Sequence, residues 1–525
     1  MKKLFANFCA TMAPLALVSA LLAGDWTQFG GDPQRTGWAK AETDITKANV
    51  KKLKLEWSLK VANTAKELNS LTVPVTVNPV ITDKGFKDLV IVAGSADNVT
   101  AVDADTGKVF WTRQFTAEGT PRNPGHWLCP NALNATPVIH RRRPGPGLNE
   151  LNVYLITSDG KLRTINAVNG EDRVAPTQFV PAFSKNWSLT VVNDVIYTAT
   201  SQGCNGAKSA IYAMDLKDPA RPVSAVFATT TGGAGIWGRA GVAVTSDGMV
   251  IGETGDGAYD PAAGKLADSF LGVRMEGKEL KLADYYTPAN RAWITKKDLD
   301  MGNMSPIVFK YKDWELVAGS GKEGVIYLLD AKKLGGEDKR TPLFRSKLLT
   351  NEEVHFAGRG FWGAMATYES EKGDRWLYAP AWGPQAPQSD KFEKEHGETP
   401  DGSIMAFKVD TVDGKPVLKN VWRSRNMNMA EPPVVVNGMV FAISSGENVK
   451  QVDANGRLLS SADRANAPAG KAVIYAFDAE TGAELWNSGD AMKSFTHFGG
   501  LAVANGRIFA VAYDNTLYAF STGGE

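Results

Sequence analysis

A few short stretches carry side chains whose types and spacing could do chemistry. GGAGIWGRAG sets Trp237 among glycines, which let a backbone approach a flat ligand closely while an indole stacks on it. GRGFWGAM repeats the pattern around Trp362, so the alternative is that both indoles pack between structural units. GETGDGAYD holds Asp256, with Glu253 and Asp260 close by. Carboxylates ligate hard ions well, and Asp-Gly pairs are also ordinary turn residues. Residues 348–363, LLTNEEVHFAGRGFWG, concentrate Glu352, Glu353, His355 and Arg359, either as a ligand-lining loop or as a charged surface loop. The 5 histidines, His126, His140, His355, His396 and His497, are scattered and form no H-E-x-x-H. GGAGIWG opens no βαβ unit, and neither G-x-S-x-G nor C-x-x-C-H occurs.

The elements that must position such residues are set by the whole chain. It has 525 residues, with 58 Lys+Arg against 57 Asp+Glu. That balance gives no basic face for nucleic acid. Glycine and tryptophan are plentiful (52 and 14), as in turn-rich all-β proteins. Residues 1–23 combine Lys2 and Lys3 with an apolar run that ends in small residues near Ala20 and Ala23. This pattern predicts a secretory signal peptide, hence an exported chain, periplasmic or secreted, with no membrane span in the mature part. A membrane anchor is the less favoured reading, because Asn7 and Pro14 interrupt the run and no charged stop-transfer flank follows. Cys9 leaves with the signal. Cys129 and Cys204 remain, an even pair that in an oxidising compartment predicts one disulfide, the alternative being two separate buried thiols.

Period-two alternation broken by Gly, Asp and Asn marks strands and turns. One unit recurs along residues 24–525: a hairpin such as PPVVVNGMVFAISS, then a third strand ending in Asp, a turn and an aromatic. AVDADTGKVFW leads to Trp111, and its near copy AFDAETGAELW leads to Trp486. Weaker copies lead to Phe179, Phe227, Tyr285, Phe344 and Trp422. The last third strand, NTLYAFST, has no aromatic after it, while LKLEWSLKV around Trp57 is an aromatic strand without its hairpin. The two leftovers complete each other. The expected fold is therefore all-β, a single eight-bladed propeller of four-stranded antiparallel blades closed by its N- and C-terminal strands.

The motif A-x-D-x-x-T-G-K-x-x-W, matched by Ala101, Asp103, Thr106, Gly107, Lys108 and Trp111, resembles the tryptophan-docking motif of quinoprotein dehydrogenases. The later copy departs only at Ala483. DWTQFGGDPQRTG, residues 25–37, is similar to the start of PQQ-repeat propellers. The resemblance covers essentially the whole mature chain and is specific for fold. It implies oxidation of an alcohol or polyol with pyrroloquinoline quinone (PQQ) and a calcium or lanthanide ion, the electrons passing to a separate periplasmic carrier. It further implies Trp237 as the floor beneath the quinone, Asp256 in the place of a metal-ligating Asn, and Lys322, in GKEGVIYLLD, as the cation at the quinone oxygen. The catalytic base falls in YYTPANRAWITKKDLDMGNMSP, where Asp298 and Asp300 are both candidates. Two features depart from the family. Cys204 stands where a metal-binding Glu is expected, and HWLCPN has one Cys in place of an adjacent pair, so a Cys129–Cys204 link would replace that ring. The alternative function is a non-catalytic PQQ-repeat propeller serving as a binding or assembly scaffold.

Overall fold

The computed structural model describes residues 24–145, 148–218, 221–230 and 233–523. The predicted signal segment lies outside them. The alternating runs become antiparallel strands wherever one face meets a neighbouring sheet. They group into an eight-bladed propeller of mostly four-stranded sheets. Blades 1 to 7 occupy, in order, residues 75–114, 138–178, 185–230, 243–286, 307–345, 360–423 and 434–487. Blade 8 is composite. Its three inner strands, Leu501–Ala504, Arg507–Val511 and Thr516–Ser521, come from the C-terminus, and its outer strand, Lys54–Lys60, comes from the N-terminus. Leu55 opposes Phe520 and Trp57 opposes Ala519 in that seam.

Each blade has two apolar faces, and the gaps between blades hold buried clusters, one of which runs continuously from blade 7 through blade 8 to blade 1. Val75, Ile91, Val153 and Ile165 fill the gap between blades 1 and 2, and Ile211, Ile236, Val250 and Leu271 that between blades 3 and 4. The docking motif is the joint. Asp103 accepts the backbone N–H groups of Asp105 and Thr106, which folds the turn, and Gly107 takes a left-handed φ of 65°. A side chain at Gly107 would begin 2.6 Å from the ring of Trp57. That indole donates its N–H to Ala104 O at 2.8 Å. The same arrangement joins Trp111 to Ala167 and Gly170, and Trp422 to Ala479 and Gly482. Each tryptophan therefore docks on the following blade. Trp57→Ala should lower stability by about 2–3 kcal/mol, less than for a wholly buried indole because Trp57 is half-exposed. Denaturant midpoints at constant m-value measure this, and an unchanged midpoint would mean that the seam does not depend on the indole.

The N-terminal DWTQFGGDPQRTG segment has a role that its sequence did not reveal. Trp26 pairs with Thr76 of blade 1. Thr27, Pro33, Gln34, Thr36 and Gly37 then accept backbone N–H groups from Ile139, Val244, Val308, Thr367 and Val435. These are innermost-strand positions of blades 2, 4, 5, 6 and 7. Arg35, 1% exposed, donates to the carbonyls of Phe29, Leu189 and Val242 and so ties in blade 3. A segment this short that meets so many inner strands must lie across the axis, where it seals one end of the channel.

Candidate active site

The other end of the channel opens into a cavity of about 440 Å³. It lies where the inner strands begin: Lys185, Trp237, Trp362 and Met429 line it, each a few residues before its strand reaches the N-terminal seal. Trp237 forms one wall, edge-on to Trp362 at 5.4 Å, and Trp362 stacks on Trp382 at 4.5 Å. Backbone bonds stitch the site segments together. Trp237 N–H donates to Gly302 O at 2.8 Å, Gly255 N–H to Gly235 O at 2.8 Å, and Lys322 N–H to Asp300 O at 3.2 Å. The glycines allow this closeness, since a Cβ on Gly302 would lie 2.4 Å from Gly235 O.

Asp256 sits in the turn after the second strand of blade 4. Asp298 and Asp300 follow the short helix Arg291–Lys296 that links blades 4 and 5, and Lys322 lies in a turn of blade 5. The fold brings all four onto the cavity wall together with Trp237. Carboxylate oxygens of Asp256, Asp298 and Asp300 lie within 4.8 Å of one another. Lys322 Nζ donates to Asp298 Oδ1 at 2.9 Å and to Asp300 Oδ2 at 2.8 Å, and it stands 5.3 Å from the centre of the Trp237 ring. Burial alone would push the Lys322 ammonium down, but the two carboxylates outweigh it and hold it charged, above its usual range. Asp300 is buried, and burial pushes it up to about 7 despite Lys322. Its Oδ1 has no partner. Asp256 is also raised, by burial and then by Asp298. Asp298 is exposed on the cavity wall and has a left-handed φ of 54°.

Lys322 offsets one of the three negative charges, so hard oxygen donors and surplus negative charge stand side by side. That donor set, with the unpartnered Asp300 oxygen, fits a divalent or trivalent hard ion. The Trp237 indole, lining the cavity beside its glycines, suits a flat ring. Cys204 is joined to Cys129 by a disulfide, with Cα atoms 5.4 Å apart, and Leu128 and Gln202 beside it reach the cavity. The three carboxylates assemble without an acid at position 204, because Asp300 adds a third.

Other candidates fall elsewhere. Glu253 is wholly buried against Ser320, and Asp260 caps the short turn Pro261–Ala263 on the exterior. The 348–363 loop does reach the cavity, but through Phe356, Ala357 and Trp362. Of its polar groups, Arg359 pairs with Glu353, and His355 Nδ1 accepts the backbone N–H groups of Ala357 and Gly358. Sequence reading missed Lys185, Arg464 and His497, which also line the cavity. Lys185 and Arg464 lie in no motif, and His497 is one of the five scattered histidines. A signal was present for Arg464, since residues 447–470 make the turn between the second and third strands of blade 7 longer than its counterpart in any other blade.

An axial cavity with an indole wall, a carboxylate cluster and a paired lysine, in an eight-bladed propeller, resembles the quinoprotein dehydrogenases in architecture. Comparison with known proteins agrees at that level. A family model described as the β-propeller domain of glucose/ethanol/alcohol dehydrogenases matches residues 26–174, and one described as outer membrane protein assembly factor BamB matches residues 470–525. No curated protein matches the chain in sequence. A europium-containing methanol dehydrogenase superposes with TM-score 0.61 at 13% identity, over 95% of this chain and 98% of that one. The quinohemoprotein alcohol dehydrogenase of Comamonas testosteroni gives 0.58 at 14%, over 97% and 82%. A quinohemoprotein alcohol dehydrogenase of Pseudomonas putida HK5 gives 0.57 at 13%, over 96% and 81%. At such identities the structural likeness is one of fold. The chain thus resembles the PQQ-repeat propeller family in sequence at both ends and in fold throughout. Among the described residues, no helix is long and apolar enough to cross a membrane.

Proposed function

We propose that the protein is an exported quinoprotein-type dehydrogenase that oxidises an alcohol or polyol and hands the electrons to a separate carrier. The observation that carries this reading is the convergence, on one axial cavity, of Trp237, Asp256, Asp298, Asp300 and Lys322. PQQ, when bound, would supply the two-electron acceptor. Trp237 would support its ring, and Asp256 with Asp300 would hold a calcium or lanthanide ion. Lys322, whose three N–H groups go to Asp298 O, Asp298 Oδ1 and Asp300 Oδ2, would set its positive charge beside the same place, where it stabilises negative charge that develops on an oxygen. Of the two candidate bases, Asp298 is the exposed one, so its carboxylate can take the hydroxyl proton of a substrate entering the cavity. Asp300 is sealed and serves the ion and the Lys322 pair.

The match of residues 470–525 to an assembly-factor model favours the second reading, a scaffold that kept the propeller and lost the cofactor. Reconstitution separates the two. The purified protein should take up PQQ with Ca²⁺ or a lanthanide, show bound-quinone absorbance and catalyse dye-linked alcohol oxidation. Failure to retain PQQ with any of these ions would leave the scaffold reading.

A further inference from the structure

The cavity wall contributed by blades 3, 7 and 8 carries two cations and a histidine that burial holds below its usual pKa. Lys185 begins the inner strand of blade 3, Arg464 lies on the short helix Ser461–Asn466 in the blade 7 insertion, and His497 precedes blade 8. Their acceptors are unevenly shared. Glu447 takes both Arg464, Nη2 to Oε1 at 2.7 Å, and His497, Nδ1 to Oε2 at 2.8 Å. Lys185 has no carboxylate within ion-pair reach among the described residues. Its ammonium donates to Trp127 O at 3.1 Å and stands 5.3 Å from the Trp187 ring.

An ammonium has three N–H donors, and a buried cation without an anion is costly. Lys185 is 5% exposed and Arg464 is 4% exposed, and Arg464 Nε also lacks a partner. Burial, and then the nearby Arg464, hold the Lys185 amine down to about 7. Arg464 lies over the Trp127 indole at 4.9 Å, so the unused donors sit beside aromatic faces. Donors of this kind call for an acceptor carrying negative charge. The carboxylate cluster in the same cavity disfavours a multiply charged anion such as phosphate. A planar monoanionic group matches a guanidinium and fits beside an indole.

We infer that Lys185 and Arg464 form a carboxylate subsite in the cavity, so that the ligand is held by an anionic group at this wall while its other end meets Asp256, Asp298 and Asp300. The carboxylate can belong to a quinone cofactor or to a hydroxy-acid substrate. The subsite does not rest on the quinone reading, since it requires only a ligand carboxylate.

Lys185→Met tests it, because the variant keeps the stem, removes the charge and leaves no acid unpaired. Isothermal titration of the full protein without added metal would use PQQ, L-lactate as a carboxylate without a quinone, and propane-1,2-diol as the uncharged control. Loss of a charge-assisted hydrogen bond should weaken carboxylate binding roughly 10- to 100-fold and leave the diol unaffected. Loss for PQQ alone assigns the carboxylate to the cofactor, and loss for lactate alone assigns it to the substrate. Both support the subsite. The melting temperature of the ligand-free variant at pH 7 should match or exceed that of the wild type, which separates lost affinity from misfolding. The inference is overturned if wild-type protein binds neither carboxylate, or if Lys185→Met binds both as tightly as wild type.

Discussion

In protein loaded with PQQ and a calcium or lanthanide ion, Asp298→Asn should lower kcat for an alcohol roughly 10²- to 10⁴-fold, the usual contribution of a positioned general base. The quinone absorbance of the bound protein should stay as it is. Asparagine preserves what the site needs structurally. It tolerates the left-handed backbone at this position, φ 54°, and its side-chain oxygen can still accept from Lys322 Nζ, 2.9 Å from Asp298 Oδ1. What it loses is the capacity to take a proton. Asp300→Asn should behave differently. Asp300 is sealed from the cavity mouth, so its loss should show first as weaker ion retention, measured by the ion concentration needed for half-maximal activity. Full kcat in Asp298→Asn, with the loss falling on Asp300→Asn, would exchange the two roles.

Much of this was legible in the sequence, for particular reasons. A blade joint is local. Asp, Gly and Trp fall within one short stretch, and each has a single physical task, so the copies at 101–111 and 476–486 announce the repeat. The composite blade was legible by subtraction, since a hairpin without an aromatic and an aromatic without a hairpin had to meet. The acidic half of the cavity was legible because its residues sit beside turn glycines in segments that resemble a family. The basic half was not. Lys185, Arg464 and His497 come from three segments with more than thirty residues between any two of them, and a charge on a strand ordinarily points to solvent. Arg35 was opaque for a related reason. It sits within the DWTQFGGDPQRTG stretch, but its partners are backbone carbonyls of Phe29, Leu189 and Val242, which leave no mark in side-chain identity. Asp298 and Asp300 could not be separated in sequence because a spacing of two says nothing about which carboxylate is sealed.

Removing the lysine from the acidic wall should have the largest effect on the empty protein. Lys322 is 5% exposed and holds Asp300, itself 3% exposed, at 2.8 Å. Taking away one partner of a buried pair leaves an uncompensated charge and costs about 3–5 kcal/mol. Asp298 adds little to that figure, because its side chain is half-exposed and screened by solvent. The cost in Lys322→Met depends on pH. Asp300 already titrates near 7 with its partner present, and without it burial pushes the carboxyl higher still. An acid whose folded pKa is raised binds more protons folded than unfolded. Its penalty is therefore absent below the unfolded value near 4 and grows as pH rises toward the folded value. The variant should lie close to wild type in melting temperature at pH 4 and fall furthest below it at pH 8. Calcium should then recover much of the loss at pH 8, since an ion that binds only the folded carboxylate cluster stabilises it in proportion to the logarithm of its concentration. The wild type, with Lys322 already offsetting one charge, should respond less. A Lys322→Met deficit that is the same at pH 4 and pH 8 and indifferent to calcium would mean that the lysine acts there by packing alone, and that Asp256, Asp298 and Asp300 do not form an ion site.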